Sequence, residues 1–223
     1  MNILIVGSTS ENSKAYIKNY ISACRGLGAA LASAGHTIIL GSSKEYTADR
    51  YIAEGAIGTG TATAYSLLVI TPYETDLFPP HPRIKQRLSR ESWTVARVDQ
   101  ILAADGVITI GGNQSTLEAG FMTIILKRPL LPLRHFGGAS EQLLESVEPV
   151  YKQFVDIEPK LRALCEGWGD GSASSAVELM VRLINRNPFG LERQIPVSAF
   201  PILLLFLLSL WVWFSSPRSP PTR

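Results

Sequence analysis

Short apolar runs recur along the first two thirds of the chain: NILIVG (2–7), HTIILGS (36–42), SLLVITP (66–72), GVITIGG (106–112) and PLLPL (129–133). None alternates with polar residues, as expected of strands buried on both faces of a parallel sheet. Between them the apolar positions shift to helical spacing. This predicts helices over about 16–34, 84–104, 115–126, 140–154 and 174–185. Gly35 is a natural stop for the first helix, and Gly26, Gly28, Ala29, Ala30 and Ala32 let it pack close. Strands alternating with helices imply right-handed βαβ units, so the predicted fold class is α/β, an open doubly wound parallel sheet.

The C-terminal pattern is different. No charge falls between Gln194 and Pro217, and VSAFPILLLFLLSLWVWF (197–214) is apolar on every helical face. The stretch 195–214 meets the roughly 20 residues that span a bilayer. Trp211, Trp213 and Phe214 gather at one end, where amphipathic rings favour headgroups, and Pro201 lies near the start. The expectation is a transmembrane helix, with a buried or oligomerising helix as the alternative. Arg182, Arg186 and Arg193 precede the span and Arg218 and Arg223 follow it, a weak orientation signal. MNILIVGSTS has too short an apolar run for a secretory signal and no basic n-region. A single-pass membrane protein with its N-terminal domain in the cytoplasm is therefore expected. The expected organisation is an α/β domain at 1–155, a helical connector at 156–193, the span at 195–214 and a disordered Pro/Ser-rich tail at 215–223.

Composition narrows the function classes. Of 223 residues, 46% are hydrophobic and 18% charged, with a net charge of +2, too little for the basic face of a nucleic-acid binder. No nucleic acid polymer is expected as a partner. Cys24 and Cys165 have neither disulfide nor zinc spacing, and no metal site is expected. The histidines form no triad order: His36 begins a strand, His81 sits in the PPHPR loop (79–83), and His135 follows Arg134 after the fifth strand.

Ligands of open α/β sheets bind beyond the carboxyl ends of the strands, near the point where strand order reverses. Three strand ends here carry small hydrogen-bonding residues: Gly7-Ser8-Thr9, Gly41-Ser42-Ser43 and Gly111-Gly112-Asn113. Each alone reads as a turn; together they suggest a shared crevice. In GVITIGGNQSTLEAG (106–120) the Gly-Gly pair lets backbone amides approach an anion, and Asn113, Gln114, Ser115 and Thr116 open the next helix. The Ser115 and Thr116 hydroxyls either meet phosphate oxygens or cap the helix. The Walker lysine is absent, as is GxGxxG, so triphosphate hydrolysis is not expected. Arg97 and Arg134 are candidate phosphate contacts; Asp49 and Arg50 suit a ribose hydroxyl and a phosphate. Tyr16 and Tyr46 either stack on a base or pack in the core.

The strand ending in Gly-Ser, the Ala-Asp-Gly at 104–106 and IGGNQST at the strand-to-helix turn resemble the SLOG superfamily of Rossmannoid nucleotide-binding domains, which includes the Smf/DprA and LOG proteins. The resemblance covers about 1–155. It implies that Gly111, Gly112, Ser115 and Thr116 hold the phosphate of a nucleotide-derived ligand, with no other cofactor. The hydrolytic LOG branch carries Pro-Gly-Gly-x-Gly-Thr-x-x-Glu. Here Ile110 replaces the proline, two residues separate Gly112 from Ser115, and Ala119 stands where the glutamate is expected. Glu118 is one place early, a turn of about 100° on a helix. Binding rather than cleavage is therefore expected. SLOG-like domains also occur as sensors in bacterial antiphage defence, responding to cyclic ADP-ribose-type molecules or cyclic oligonucleotides. By that resemblance the chain is expected to be a homo-oligomeric, membrane-anchored sensor whose ligand triggers membrane disruption. The alternative is a tethered LOG-like nucleoside-monophosphate phosphoribohydrolase, with Glu118 as its catalytic carboxylate.

Overall fold

The computed structural model describes residues 1–9, 14–60, 66–89 and 92–189. The strands are β1 (Asn2–Ser8), β2 (Thr37–Leu40), β3 (Leu67–Thr71), β4 (Ile84–Leu88), β5 (Gly106–Gly111) and β6 (Leu130–Leu133). The helices are α1 (Lys14–Ser33), α2 (Ala48–Gly58), α3 (Trp93–Ala103), α4 (Gln114–Ile125), α5 (Gly138–Tyr151), α6 (Glu158–Glu166) and α7 (Ser172–Arg186). All strands pair in parallel in the order β4-β3-β2-β1-β5-β6. The chain steps outward from β1 to β4, then crosses back to β5 on the other flank. Its topological switch point therefore lies between β1 and β5.

The apolar runs form the centre as expected. Ile3, Leu4, Ile5, Ile38, Ile39, Leu40, Val107 and Ile108 are all fully buried. Burying a side chain of this size stabilises the fold by roughly 1.5–3 kcal/mol, and this core is continuous across both sheet faces. Right-handed crossovers put α1 and α2 on one face and α3 and α4 on the other. α1 and α2 pack on each other closely: a Cβ at Gly28 would come 2.1 Å from the Ile52 carbonyl, and one at Gly55 2.0 Å from that of Arg25.

Two elements differ from the sequence expectation. The segment 84–104, read as one helix, is strand β4 followed by α3. Lys, Gln, Arg and Leu favour a helix locally, but Ile84–Leu88 pairs residue for residue with β3. Its exposed Lys85 and Arg87 are the charges that keep a sheet edge from pairing further. α3 then starts at its own cap, with the Ser92 hydroxyl accepting from the Val95 N–H. The segment after β2, for which no element was expected, is the helix α2; Gly55 and Gly58 look like breakers, but Gly55 allows the close contact with α1. The opposite edge, β6, carries Pro132, which an edge strand tolerates.

The compact unit runs Met1–Gly190, and so takes in α6 and α7 beyond the expected boundary at 155. Ala176, Val177, Leu179, Met180 and Leu183 of α7 are buried, and Met180 fills the space that Gly106 leaves at the start of β5. The expected membrane span at 195–214 and the tail at 215–223 lie outside the described residues. Among the described residues no helix is long and apolar enough to cross a membrane.

Candidate functional site

At the carboxyl edge of the sheet, over the switch point, lies a crevice of about 330 Å³. Its walls come from the end of β1, the N-terminal parts of α2 and α3, and the first turns of α4. β1 and α2 are joined directly here, by a bridge between Ser8 and Thr47 and by the Thr9 N–H donating to the Tyr46 carbonyl at 3.4 Å.

Of the residues expected at the site, Gly7, Ser8, Ser42, Arg97, Asn113, Ser115, Thr116 and Glu118 line this crevice. Thr9, Gly41, Gly111, Gly112 and Gln114 do not line it but build its frame. Gly7 must be glycine because a Cβ would come 2.2 Å from the Ile110 carbonyl on β5. Gly111 and Gly112 have φ of +57° and +96°, a left-handed turn that bends the chain from β5 into α4. Three bonds tie the turn down: the Gly112 N–H donates to the Ser8 carbonyl at 2.8 Å, the Ser140 hydroxyl to the Gly111 carbonyl at 2.9 Å, and the Ala139 N–H to the Gly112 carbonyl at 3.0 Å. The Gly112 amide is thus spent on β1 rather than offered to an anion.

The α4 terminus shows the same economy. Asn113 is the N-cap; its Oδ1 accepts both from the Ser115 N–H at 3.1 Å and from the Ser115 hydroxyl at 2.9 Å. The cap is Asn113 rather than Ser115, whose hydroxyl donates to it. What α4 presents to the crevice is its positive dipole end and the buried Thr116. Glu118 lines the wall one turn further on, its Oε1 accepting from the Gln114 amide at 3.3 Å. Its displacement by one position from the hydrolase register therefore does not turn it away from the cavity.

Arg134 stands apart. It pairs with Glu141 at 3.0 Å and lines a different cavity, with Glu148 and Cys165. His135 faces a third cavity, between α1 and α7. Tyr16 donates to the Phe136 carbonyl at 2.7 Å and stacks on Tyr20, which is core packing, whereas Tyr46 is 61% exposed on the crevice wall.

Several lining residues escaped the sequence reading. Trp93 and Thr94 were hidden inside the helix expected at 84–104; the signal that places them is Ser92, a capping residue directly ahead. Lys44 and Thr47 follow the second strand and belong to the entry into the unexpected α2. Lys44 Nζ lies 2.8 Å from Asp76 Oδ1, whose side chain is fully buried beneath it. Trp93 meets the exposed Tyr73 edge to face, with ring centres 6.4 Å apart. Trp93, Tyr46 and Met122, with Val6 and Ala119, make the apolar part of the lining.

The electrostatic centre is Asp49, in the first turn of α2. It is 7% exposed, and its Oδ1 has no hydrogen-bond partner. Burial pushes its carboxyl up to about 7, against the downward pull of Arg97 and of the Gly41 and Ser42 amides. Burial likewise lowers the Arg97 guanidinium, with Asp49 opposing. Arg97 is steered by a relay: it donates to Gln100 Oε1 at 2.7 Å, and Gln100 Nε2 donates to the Ile70 carbonyl at 2.5 Å. The Ser8 hydroxyl is a second buried group without a partner on the same wall. The crevice therefore combines a half-buried cation, a buried carboxyl, a helix N-terminus and an aromatic side. Among the described residues no group of side chains is arranged to hold a metal ion.

No protein-family model and no curated protein matches the chain. Solved structures do. The X-ray structure of the structural-genomics target TM1055 aligns with 65% of this chain and 80% of its own length, at 20% identity and a TM-score of 0.52. DNA processing protein A from Helicobacter pylori, whose single-stranded DNA binding has been described, aligns with 76% of this chain and 82% of its own, at 16% identity and a TM-score of 0.47. That second likeness is too weak to bear on this chain. At these identities likeness extends to the fold alone: the chain shares with TM1055 the parallel, Rossmann-like α/β architecture expected from its sequence.

Proposed function

We propose that this protein is a membrane-anchored receptor for a nucleotide-derived ligand, held in the crevice over the β1/β5 switch point. The observation that carries the reading is the lining of that crevice. Arg97, Lys44 and the α4 N-terminus attract a phosphate, while Trp93 and Tyr46 offer faces for a base. Its position is the one at which open α/β sheets hold ligands. The charge-free stretch 195–214 suits a single bilayer span, and the proposal places the ligand-binding unit on the cytoplasmic side. On this reading the ligand is a nucleotide signal, of cyclic ADP-ribose or cyclic oligonucleotide type. Its binding favours one homo-oligomeric packing, gathers the spans and perturbs the bilayer, as in the antiphage sensors that the chain resembles. A ligand drives such a change only by its differential affinity for the two assemblies.

A second reading has its own support. Glu118 and Asp49 line the same crevice, where a carboxylate would face the oxocarbenium-like transition state of N-glycosidic cleavage. A LOG-like phosphoribohydrolase would release free base. Incubation of the full chain in detergent micelles with nucleoside monophosphates, ADP-ribose isomers and cyclic dinucleotides separates the two. The receptor binds at least one of them and returns it intact. Base release that Glu118→Gln abolishes establishes the hydrolase and overturns the receptor.

A further inference from the structure

Asp49 poses a question that the phosphate chemistry does not answer. A carboxyl on the wall of a site for an anion opposes that anion, and this one is 93% removed from solvent by the protein around it (7% exposed) with Oδ1 unpartnered. A buried acceptor left unmade costs free energy comparable to a lost hydrogen bond, so its place in the fold calls for a donor. The Ser8 hydroxyl comes from the adjoining end of β1, which the Ser8–Thr47 bridge holds against the entry to α2, two residues before Asp49. It too is buried without a partner. Both groups line the crevice.

What donor fits? An ammonium group is disfavoured, since Arg97 and Lys44 already bring two cations to this wall. A second phosphate is repelled by Asp49 itself. An uncharged group with O–H donors, carried on the same molecule as a phosphate, satisfies both constraints. Resting on the nucleotide reading above, we infer that Asp49, with Ser8, receives the free 2′,3′-hydroxyl pair of a ribose, and that the crevice selects ligands whose ribose is unsubstituted at both positions. A 3′,5′-linked cyclic oligonucleotide lacks that pair; nucleoside 5′-phosphates and molecules ending in a free ribose have it. The inference thus separates the two signal classes left open above.

The test is calorimetry on the full chain in dodecyl maltoside micelles, with AMP, GMP, CMP and UMP as probes. The tightest binder is then compared with its 2′,3′-dideoxy counterpart, on the native protein and on Asp49→Asn. The asparagine is nearly isosteric and removes a buried charge, so folding is preserved. The dideoxy ligand is expected to bind on the order of tenfold to a hundredfold more weakly to the native protein. Asp49→Asn is expected to bring the ratio of the two affinities close to one, since the change in repulsion on the phosphate is common to both ligands. That coupling is what a merely structural aspartate does not produce. Equal binding of the two ligands to the native protein overturns the ribose inference while the nucleotide site stands. Binding by none of the four probes at millimolar concentration overturns this inference, and the nucleotide site falls with it where ADP-ribose and cyclic dinucleotides also fail to bind.

Discussion

Asp49 also makes the stability of the fold depend on pH, and the sign follows from its burial. The unfolded carboxyl titrates near 3.8 and the folded one near 7, so between those values the folded state holds the extra proton. Stability is then fully present below about pH 3.8, falls as pH rises, and stops falling once pH passes 7. The shift of about 3 units corresponds to roughly 4 kcal/mol at full ionisation, of which about 2–3 kcal/mol is lost between pH 5 and pH 8. Asp49→Asn keeps the shape and cannot ionise. Urea unfolding of native protein and variant, followed by tryptophan fluorescence at pH 5, 6, 7 and 8, isolates the effect, because every other titrating group cancels in the difference. The variant is expected to gain about 2–3 kcal/mol on the native protein between pH 5 and pH 8, most of it below pH 7. A stability difference that stays constant across that range refutes the reasoning, since Asp49 would then titrate alike in the folded and unfolded chain.

Gly112→Ala forces a side chain into a φ of +96°, with its Cβ 2.3 Å from Thr116 Oγ1, and is expected to cost roughly 2–4 kcal/mol in urea unfolding. Lys44→Met leaves the buried Asp76 without its cation; because Lys44 is itself part-exposed, a loss of about 1–3 kcal/mol is expected, recovered in large part by adding Asp76→Asn. Trp93→Ala removes the aromatic wall and is expected to weaken nucleotide binding by about tenfold with the thermal midpoint nearly unchanged, as measured by calorimetry and circular dichroism. Flotation with phosphatidylcholine vesicles is expected to carry the full chain but not a chain ending at Gly190, and equal flotation of both removes the anchor from the proposal.

Much of this protein was legible in the pattern of its residues. Uninterrupted apolar runs such as ILIV and VITI can be buried only from both sides, so the parallel sheet follows from local chemistry. Glycines at 7, 111 and 112 marked the strand ends that frame the crevice, because backbone that turns so sharply or packs so closely excludes a side chain. What the residues did not reveal is who meets whom. IKQRL has the composition of a helix and becomes β4 because the open edge of β3 lies beside it. Gly55 looks like a breaker within α2 until the backbone of α1 is seen against it. Lys44 and Trp93, far apart in sequence, share a wall with Ser115 only because strand order reverses between β1 and β5. The charge state of Asp49 is the clearest instance. An aspartate is identified by its sequence, but the energy of its ionised form depends on the water it has lost and the cation it faces, and only the tertiary structure decides those.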